Sequence, residues 1–325
     1  MRIVRYHQHG SPEVLQVDEV AKPEPGPGQV LIRAEAIGVN FAGIQERAGE
    51  FYYGEGLELP ASPGGDAVGF IDALGPGVEG WQVGERVASV IFTDAFAEYS
   101  LARVKDLVRI PAEMDAAQAT MLSSPAQVGL EVIQAAYLKK GESVLVHAAA
   151  GAIGHLVIQM VKALGAGTVI ATAKDPAKLA FAKELGADHA VDYSREGWEE
   201  EVRAATGGAG VDIVLDSVGA DITPKSIGLL KPFGRLVFYG SAGGGLELPK
   251  IPLEDLAGKY VTHFSMGVMD SQVDNFDRIV EEVCEMVLSG AVRPVVHTEL
   301  PLEEAAKAHQ LMEDRVQLGR IVLVP

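Results

Sequence analysis

The hydrophobic pattern of the chain changes near its middle. Up to about Leu122, short apolar runs such as QVLIRAEAIGV and ERVASVI are separated by turn-forming segments such as KPEPGPGQ. Short runs rich in Val and Ile between Pro- and Gly-rich turns are typical of β-strands. The first part of the chain is therefore predicted to form a β-rich domain.

From about Ser143 the pattern becomes apolar strand, glycine turn and amphipathic helix, repeated several times. Its successive units include SVLVHAAAG with AIGHLVIQMVKALGA, TVIATA with PAKLAFAKELGA, and then VDIVLDSVG, GRLVFYG and KYVTHFSM. This alternation predicts a parallel sheet with helices on both faces, so the fold class is α/β with a doubly wound nucleotide-binding domain. A long helix through NFDRIVEEVCEMVLSG and a last strand, GRIVLV, follow, and we expect this tail to pack on the first domain.

Length, charge and composition limit the domain number, the binding partners and the location that we expect for this protein. A length of 325 residues favours two domains, and a net charge of -18 disfavours nucleic acids and anionic membranes, which bind clustered Lys and Arg. The opening MRIVRYHQHG lacks the apolar core of a signal peptide, and the apolar stretch from Val144 to Val161 is interrupted by histidines and glycines. We therefore expect a cytoplasmic protein.

The cysteine content limits metal chemistry. Cys284 is the only cysteine, so an intrachain disulfide is impossible and a cysteine-rich metal site is excluded. We expect no bound metal.

A glycine turn opens the second domain. The segment from Ala148 to Gly154 follows the strand SVLVH and begins a helix, the position of a pyrophosphate-binding turn. Gly151 would let the backbone approach a diphosphate, and Gly154 would let helix and strand pack closely. A tight strand–helix turn without a ligand is the alternative. The predicted cofactor contacts in this turn are Ala150, Gly151, Ala152, Ile153 and Gly154.

The end of the next strand favours one cofactor. NAD-binding enzymes place an acidic residue there to hold the ribose 2′-hydroxyl, whereas TVIATA ends at Ala173 and is followed by Lys174 and Lys178. Two ammonium groups would suit a 2′-phosphate, so we predict NADPH rather than NADH. Asp175 is the opposing observation, although Asp175-Pro176 is also a typical helix start. The alternative for Lys178 is a solvated surface lysine.

Motifs along essentially the whole chain carry a family resemblance. HGSPEVLQV, GVNFAG, PGGDAVGFIDALGPGVEGWQVGERV, HAAAGAIG, VKALGA, DSVG and the closing GRIVLVP are similar to the zinc-independent quinone oxidoreductases (zeta-crystallin-like) of the medium-chain dehydrogenase/reductase superfamily. The resemblance implies a GroES-like catalytic domain of residues 1–122 and 269–325, and a Rossmann NADPH-binding domain of residues 123–268. It also implies a homodimer that acts on a small molecule.

The same resemblance assigns roles to single residues. It places Asn40 near the nicotinamide ribose and the substrate, Tyr193 beside the adenosine phosphate, Lys178 on the 2′-phosphate and Arg315 on the cofactor from the other domain. The alternatives are a loop-capping amide, an exposed aromatic residue and solvated charges. The remaining implied cofactor contacts are Ser217, Val218, Phe238 and Gly240.

The chain also departs from the family pattern. Gly43 stands where the family often has Asp, Gln45 where an aromatic residue sometimes occurs, and Gln127 where many members carry Thr. These departures bear on the substrate. The predicted catalytic residues are Asn40, Tyr52, Tyr53 and Gln127, with the tyrosines as candidate proton donors.

The expected reaction is hydride transfer from NADPH to a quinone or an electron-poor enone. Two alternatives stay open. One is reduction of an enoyl thioester or another alkene on the same scaffold. The other is an NADPH-binding protein with little catalysis.

Overall fold

The structure, a computed structural model, describes residues 1–50, 58–244, 250–265 and 273–325. The chain divides into two compact units, the first formed by Met1–Ser124 with Val295–Pro325 and the second by Pro125–Pro294. The sequence-based division leaves the first domain after residue 122 and returns to it at residue 269, so the two divisions differ at residues 123–124 and 269–294. The predicted functional domains stay a prediction.

The first unit is built on a mostly antiparallel sheet with strand order β14-β15-β3-β4-β5-β7, in which β6 pairs with β3 and a separate hairpin joins β1 to β2. Its strands are β1 (Arg2–Tyr6), β2 (Leu15–Glu19), β3 (Gln29–Val39), β4 (Gly65–Leu74), β5 (Arg86–Ile91), β6 (Tyr99–Arg103), β7 (Val108–Arg109), β14 (Val296–Pro301) and β15 (Arg320–Val324). Its helices are α1 (Phe41–Ala48), α2 (Ala116–Ala119) and α9 (Ala305–Glu313). This is the predicted GroES-like, β-rich half.

The core of the first unit follows from the apolar runs. Val30, Ile32, Ile37 and Val39 of β3 are fully buried, and α9 adds Ala308 to the same apolar cluster. Alternation along a strand puts Val30 and Ile32 on one face, and the irregular pairing between Ala34 and Ala36 shifts the phase by one residue, so that Ile37 and Val39 join the same cluster.

The second unit has a parallel sheet with strand order β10-β9-β8-β11-β12-β13. Its strands are β8 (Ser143–Val146), β9 (Thr168–Ala173), β10 (His189–Asp192), β11 (Val211–Asp216), β12 (Leu230–Phe238) and β13 (Tyr260–His263). Its helices are α4 (Gly154–Ala163), α5 (Pro176–Glu184), α6 (Trp198–Ala205), α7 (Ile222–Leu229) and α8 (Val273–Leu288), while α3 (Ser124–Ala135) leads into the unit. The α/β, doubly wound prediction is confirmed.

Strand order in this sheet locates a ligand edge. The chain adds β9 and β10 on one side of β8, its first strand, and then crosses over to add β11, β12 and β13 on the other side. In open α/β sheets, ligands bind beyond the carboxyl ends of the strands at such a switch point. In the described part of the chain, no helix has both the length and the apolarity needed to cross a membrane.

Candidate functional site

The turn between β8 and α4 is a tight backbone loop. Gly151 N–H donates to Ala148 O at 3.0 Å, and Ala148 has a φ of 48°, in the left-handed region. A Cβ atom on Gly154 would lie 2.4 Å from Ala148 O, closer than atoms approach each other. Gly154 thus allows the helix to start directly against the strand end, as predicted.

Two of the first amides of α4 already have acceptors in the preceding turn: His155 N–H donates to Gly151 O at 3.1 Å and Leu156 N–H donates to Ile153 O at 3.0 Å. Ile153 holds the N-cap position and makes no side-chain cap hydrogen bond within the described chain. The first amides of a helix lack intrahelical acceptors and form the positive end of its dipole. Ala150, Gly151 and Ala152 precede this helix end in the chain, and their contact with a pyrophosphate stays a prediction.

A buried histidine, His147, lies just after the end of β8, directly before this turn. His147 is fully buried, and its two ring nitrogens lie 2.7 Å from Thr172 Oγ1 and 2.8 Å from Ser226 Oγ. Burial lowers the pKa of His147, against an opposing effect from the Asp216 carboxylate. A neutral ring can donate from one nitrogen and accept at the other, so His147 links β8 to β9 and α7 without adding charge.

The end of β9 carries the predicted phosphate-binding lysines. Asp175 is the N-cap of α5, its carboxylate accepts the Lys178 N–H at 3.0 Å, and Pro176 follows at the first helical position. The Lys174 Nζ lies 5.8 Å from the centre of the Tyr193 ring, and the Lys178 Nζ lies 3.8 Å from Asp175 Oδ2. The structure thus brings both lysines and Tyr193 to one edge of the sheet.

Two further turns meet at the carboxyl ends of β11 and β12. The Asp216 carboxylate accepts the N–H groups of Val218 and Gly219 at 2.8 and 3.1 Å, and the Ala242 N–H donates to Ser217 O at 3.1 Å. A Cβ atom on Gly240 would lie 2.9 Å from Ser217 O. The segments that contain Ser217, Val218, Phe238 and Gly240 are therefore packed against each other.

In the first unit, Asn40 lies between β3 and α1. It occupies the N-cap position of α1, with φ −107° and ψ 144°, but its side chain caps no amide in the described structure. Its Nδ2 instead donates to Asp66 Oδ2 at 2.9 Å. Asn40 therefore makes a structural hydrogen bond to β4, and its role beside the nicotinamide ribose stays a prediction.

Asp66 is the centre of a buried hydrogen-bond network. It is 0% exposed and lies on β4. Its Oδ1 accepts from Ser123 Oγ at 2.7 Å and from Ser124 N at 2.9 Å. Its Oδ2 accepts from Ser124 Oγ at 2.9 Å, from Asn40 and from the Arg320 guanidinium. Charge-assisted bonds of this kind hold a carboxylate firmly in a dry interior.

The ion pair between Arg320 and Asp66 crosses a strand. Arg320 lies on β15 and Asp66 on β4, with β3 between them, and the two side chains are 1% and 0% exposed. Gly38 of β3 lies directly opposite Asp66 in the register. A Cβ atom on Gly38 would be 2.1 Å from Arg320 Nη2, so the glycine provides the space through which the guanidinium passes.

A second buried carboxyl group lies on α1. Glu46 is 8% exposed, and Gly64 N–H donates a hydrogen bond to it, while its Oε2 has no hydrogen-bond partner among the described residues. Burial raises the pKa of Glu46 to about 7. A Cβ atom on Gly43 would lie 3.2 Å from Gly64 O, so a side chain there would crowd the same backbone segment.

The other predicted residues are placed as follows. The Arg315 guanidinium lies 5.8 Å from the Phe41 ring, next to Asn40 in the chain. Gln127 is buried in α3. Tyr52 and Tyr53 lie outside the described residues, so their candidacy as proton donors stays a prediction.

Three charged residues of this region, Asp66, Arg320 and Glu46, were not predicted from the sequence. The signal was present as one charged residue within an otherwise apolar strand, in GDAVGF and in RIVLV. A charge at such a position needs a buried partner. Among the residues that the structure describes, no group of three His, Cys, Asp or Glu side chains could hold a metal ion.

Two family profiles match the chain. The alcohol dehydrogenase GroES-like domain matches residues 26–112, and the zinc-binding dehydrogenase family matches residues 152–283. The 2-haloacrylate reductase of a Burkholderia species is 35% identical over 98% of this chain and 97% of its own. The quinone oxidoreductase of Pseudomonas aeruginosa is 32% identical over 99% of both chains.

Solved structures agree over the full length. The Escherichia coli quinone oxidoreductase complexed with NADPH superposes with a TM-score of 0.93 at 28% identity, covering 100% of both chains. A mycobacterial protein complexed with NADPH gives a TM-score of 0.93 at 32% identity, also over 100% of both. With these relatives aligned end to end, the chain belongs to the quinone oxidoreductase branch of the medium-chain dehydrogenase/reductase superfamily.

Proposed function

We propose that this protein is an NADPH-dependent oxidoreductase that reduces a quinone or an electron-poor enone without zinc. The charged residues at the carboxyl end of β9 are the main observation in favour of NADPH over NADH. There Asp175 caps α5, and Lys174 and Lys178 bring two positive charges to the same strand end, with the Lys178 Nζ 3.8 Å from the Asp175 carboxylate. The NADPH-complexed structures of two relatives support the same choice.

The residues present fit the cofactor. The uncapped first turn of α4 and the close turn at Gly151 and Gly154 suit a pyrophosphate, which binds backbone N–H groups at a helix N-terminus. Tyr193, beside Lys174, suits the adenosine end. When bound, the reduced nicotinamide would supply the hydride.

The chain's own contribution would be to bind and orient. Asn40 would hold the nicotinamide ribose and the acceptor in position, because alignment of two reactants lowers the barrier without new chemistry. Arg315 would add a positive charge next to this site. Tyr52 and Tyr53 remain candidate proton donors, and Gln127 a candidate contact to the substrate.

The donor chemistry of the sequence supports the proposed zinc independence. Catalytic zinc in alcohol dehydrogenases has cysteine among its ligands, and a structural four-cysteine site needs more than the one cysteine present here. A quinone accepts a hydride without the Lewis acid that helps to remove the proton of an alcohol. The proposed substrates therefore match the residues that the chain has.

A second substrate class is favoured by one observation. The relative with 35% identity is a 2-haloacrylate reductase, whose name indicates reduction of a carbon–carbon double bond conjugated to a carboxylate. The same hydride donor can serve an alkene or a quinone, because the scaffold does not fix the substrate.

A substrate panel tests the proposal. Purified protein with saturating NADPH is mixed in turn with benzoquinone, a naphthoquinone, an enal, a 2-haloacrylate and an enoyl thioester. Turnover of quinones supports the first class, and turnover confined to the acrylate or the thioester moves the assignment to alkene reduction. If NADPH binds and no acceptor is reduced above background, the protein is a binding protein with little catalysis.

We also propose a homodimer in the cytoplasm. The edge strand β13 pairs with β12 on one side, and its Tyr260 is 61% exposed. An exposed edge strand can pair with a second chain. Light scattering should give twice the chain mass, and Val261→Pro should yield the monomer, because proline removes an N–H from the edge. A monomeric wild type would contradict the proposed homodimer.

The cytoplasmic location is supported by the cysteine content. A chain with a single cysteine has no intrachain disulfide, which agrees with a reducing compartment.

A further inference from the structure

We propose that Asp66 is a positioning residue, which fixes the orientation of the Asn40 amide and so presents the Asn40 Oδ1 as a hydrogen-bond acceptor to a hydroxyl of the bound cofactor or substrate. The inference rests on the proposed role of Asn40 at the cofactor. It concerns how the carboxamide is held, and it adds a residue that the sequence analysis did not single out.

The orientation follows from hydrogen-bond chemistry. A carboxylate only accepts hydrogen bonds, so the group that Asn40 turns toward Asp66 must be its NH2. The carbonyl oxygen of a planar carboxamide then points to the other side and can only accept. The ligand group that fits Oδ1 is therefore a donor, such as a ribose hydroxyl.

The position of Asn40 in its helix supports this role. Asparagine is among the best N-cap residues, because its side-chain oxygen can accept an N–H from the first turn. Asn40 is at the N-cap of α1 but makes no such bond in the described structure. The side-chain NH2 group of Asn40 therefore donates to Asp66, and its Oδ1 accepts no N–H from the first turn of α1.

Asp66 is itself held without freedom to move. Ser123 and Ser124 bind its Oδ1, and Ser124 Oγ and Arg320 share Oδ2 with Asn40. Each of these contacts is buried or nearly so. A carboxylate fixed by this many donors, in a site closed to water, can set the geometry of the one donor that also borders the ligand.

Selective labelling gives a direct test, because the sequence contains only two asparagines, Asn40 and Asn275. With 15N-labelled asparagine, each contributes one pair of side-chain amide signals, and Asn40→Ser identifies the pair of Asn40. In the wild type, one Asn40 proton should be shifted downfield and protected from exchange. Asp66→Asn adds a third amide pair of its own, which is the pair that remains beside Asn275 in the Asn40→Ser/Asp66→Asn double variant. The Asn40 pair of Asp66→Asn, identified by this comparison, should lose the shift and the protection. The measurement needs no substrate, so its outcome is separate from that of the proposed function.

Kinetics provide the second readout. Asp66→Asn should lower kcat with a quinone by about 10- to 100-fold, the effect of one charge-assisted hydrogen bond, while the Kd for NADPH stays within about threefold. A matched control is Asp212→Asn, since Asp212 also accepts bonds from a serine N–H, that serine's Oγ and a cation. Asp212 lies at the start of β11, away from the carboxyl ends of the strands, and this variant should keep the wild-type kcat.

Asp66→Asn leaves Arg320 without its charge partner, and the variant can fail to fold. Asp66→Glu then replaces it, because it keeps the charge but moves the carboxylate by one methylene. The same changes in the Asn40 signals and in kcat are expected. The proposal is overturned if the Asn40 signals of the folded variant match those of the wild type, or if they change while kcat remains that of the Asp212→Asn control.

Discussion

Gly38→Ala tests the strand-crossing ion pair through a single methyl group. The backbone at Gly38 needs no positive φ, so alanine is permitted by conformation and would normally stabilise a strand by about 0.5–1 kcal/mol. The new Cβ atom, however, would lie 2.1 Å from Nη2 and 2.3 Å from Nε of Arg320, so the guanidinium must move away from Asp66.

The expected magnitude is the difference between two effects. Separating a buried ion pair costs about 3–5 kcal/mol, because each charge loses its partner and regains little water. Subtracting the backbone gain leaves a loss of about 2–4 kcal/mol in the free energy of unfolding. In an Arg320→Ala background the clash is absent, so Gly38→Ala should then raise the free energy of unfolding by the backbone gain of about 0.5–1 kcal/mol.

Urea unfolding of the four proteins of this double-mutant cycle measures the coupling. The chain has two tryptophans, Trp81 in the first unit and Trp198 in the second. A Trp198→Phe background leaves Trp81 as the reporter of the unit that contains the ion pair. Two results would refute the predicted clash between a Cβ at position 38 and the Arg320 guanidinium. One is a Gly38→Ala variant as stable as its parent, and the other is the same change in the free energy of unfolding with and without Arg320.

Three further predictions concern the cofactor, acidity and metal. Lys174→Ala and Lys178→Ala should each weaken NADPH binding by about 10- to 100-fold and leave NADH nearly unchanged in fluorescence titrations; equal wild-type affinities would count against a 2′-phosphate site. Because the pKa of Glu46 is raised to about 7, the folded protein holds a proton there that the unfolded chain releases, and stability falls as pH rises from about 4.5 to 7. Glu46→Gln should therefore raise Tm at about pH 8 and change it little at about pH 5; a rise that is equal at both would show that the carboxyl group does not titrate in this window. Elemental analysis after dialysis against a chelator should find no stoichiometric zinc. About one zinc per chain, with activity lost when the zinc is removed, would contradict the zinc-free mechanism.

Local rules predicted the nucleotide-binding half well. The turn at Gly151 and Gly154 and the cap at Asp175 each depend on residues within a few positions of each other, so their chemistry is visible in the sequence. The repeat of strand, turn and helix likewise predicts a doubly wound sheet, and the structure confirms it.

Long-range contacts explain what the sequence analysis missed. Asp66 and Arg320 are 254 residues apart, and only the strand order β15-β3-β4 brings them together across Gly38. The second boundary between the units could not be predicted for the same reason. The amphipathic pattern of α8 predicts that one of its faces is buried, but it does not indicate to which unit the helix belongs.

Anaerobic mixing of the NADPH-loaded protein with benzoquinone tests the central proposal most directly. We expect the protein to oxidise one NADPH for each quinone reduced, at a rate far above that of the uncatalysed reaction. The Lys174→Ala/Lys178→Ala double variant should lose this rate at low NADPH concentration and recover it at high concentration. Tight binding of NADPH with no consumption of either reactant, in a folded wild-type protein, would contradict it.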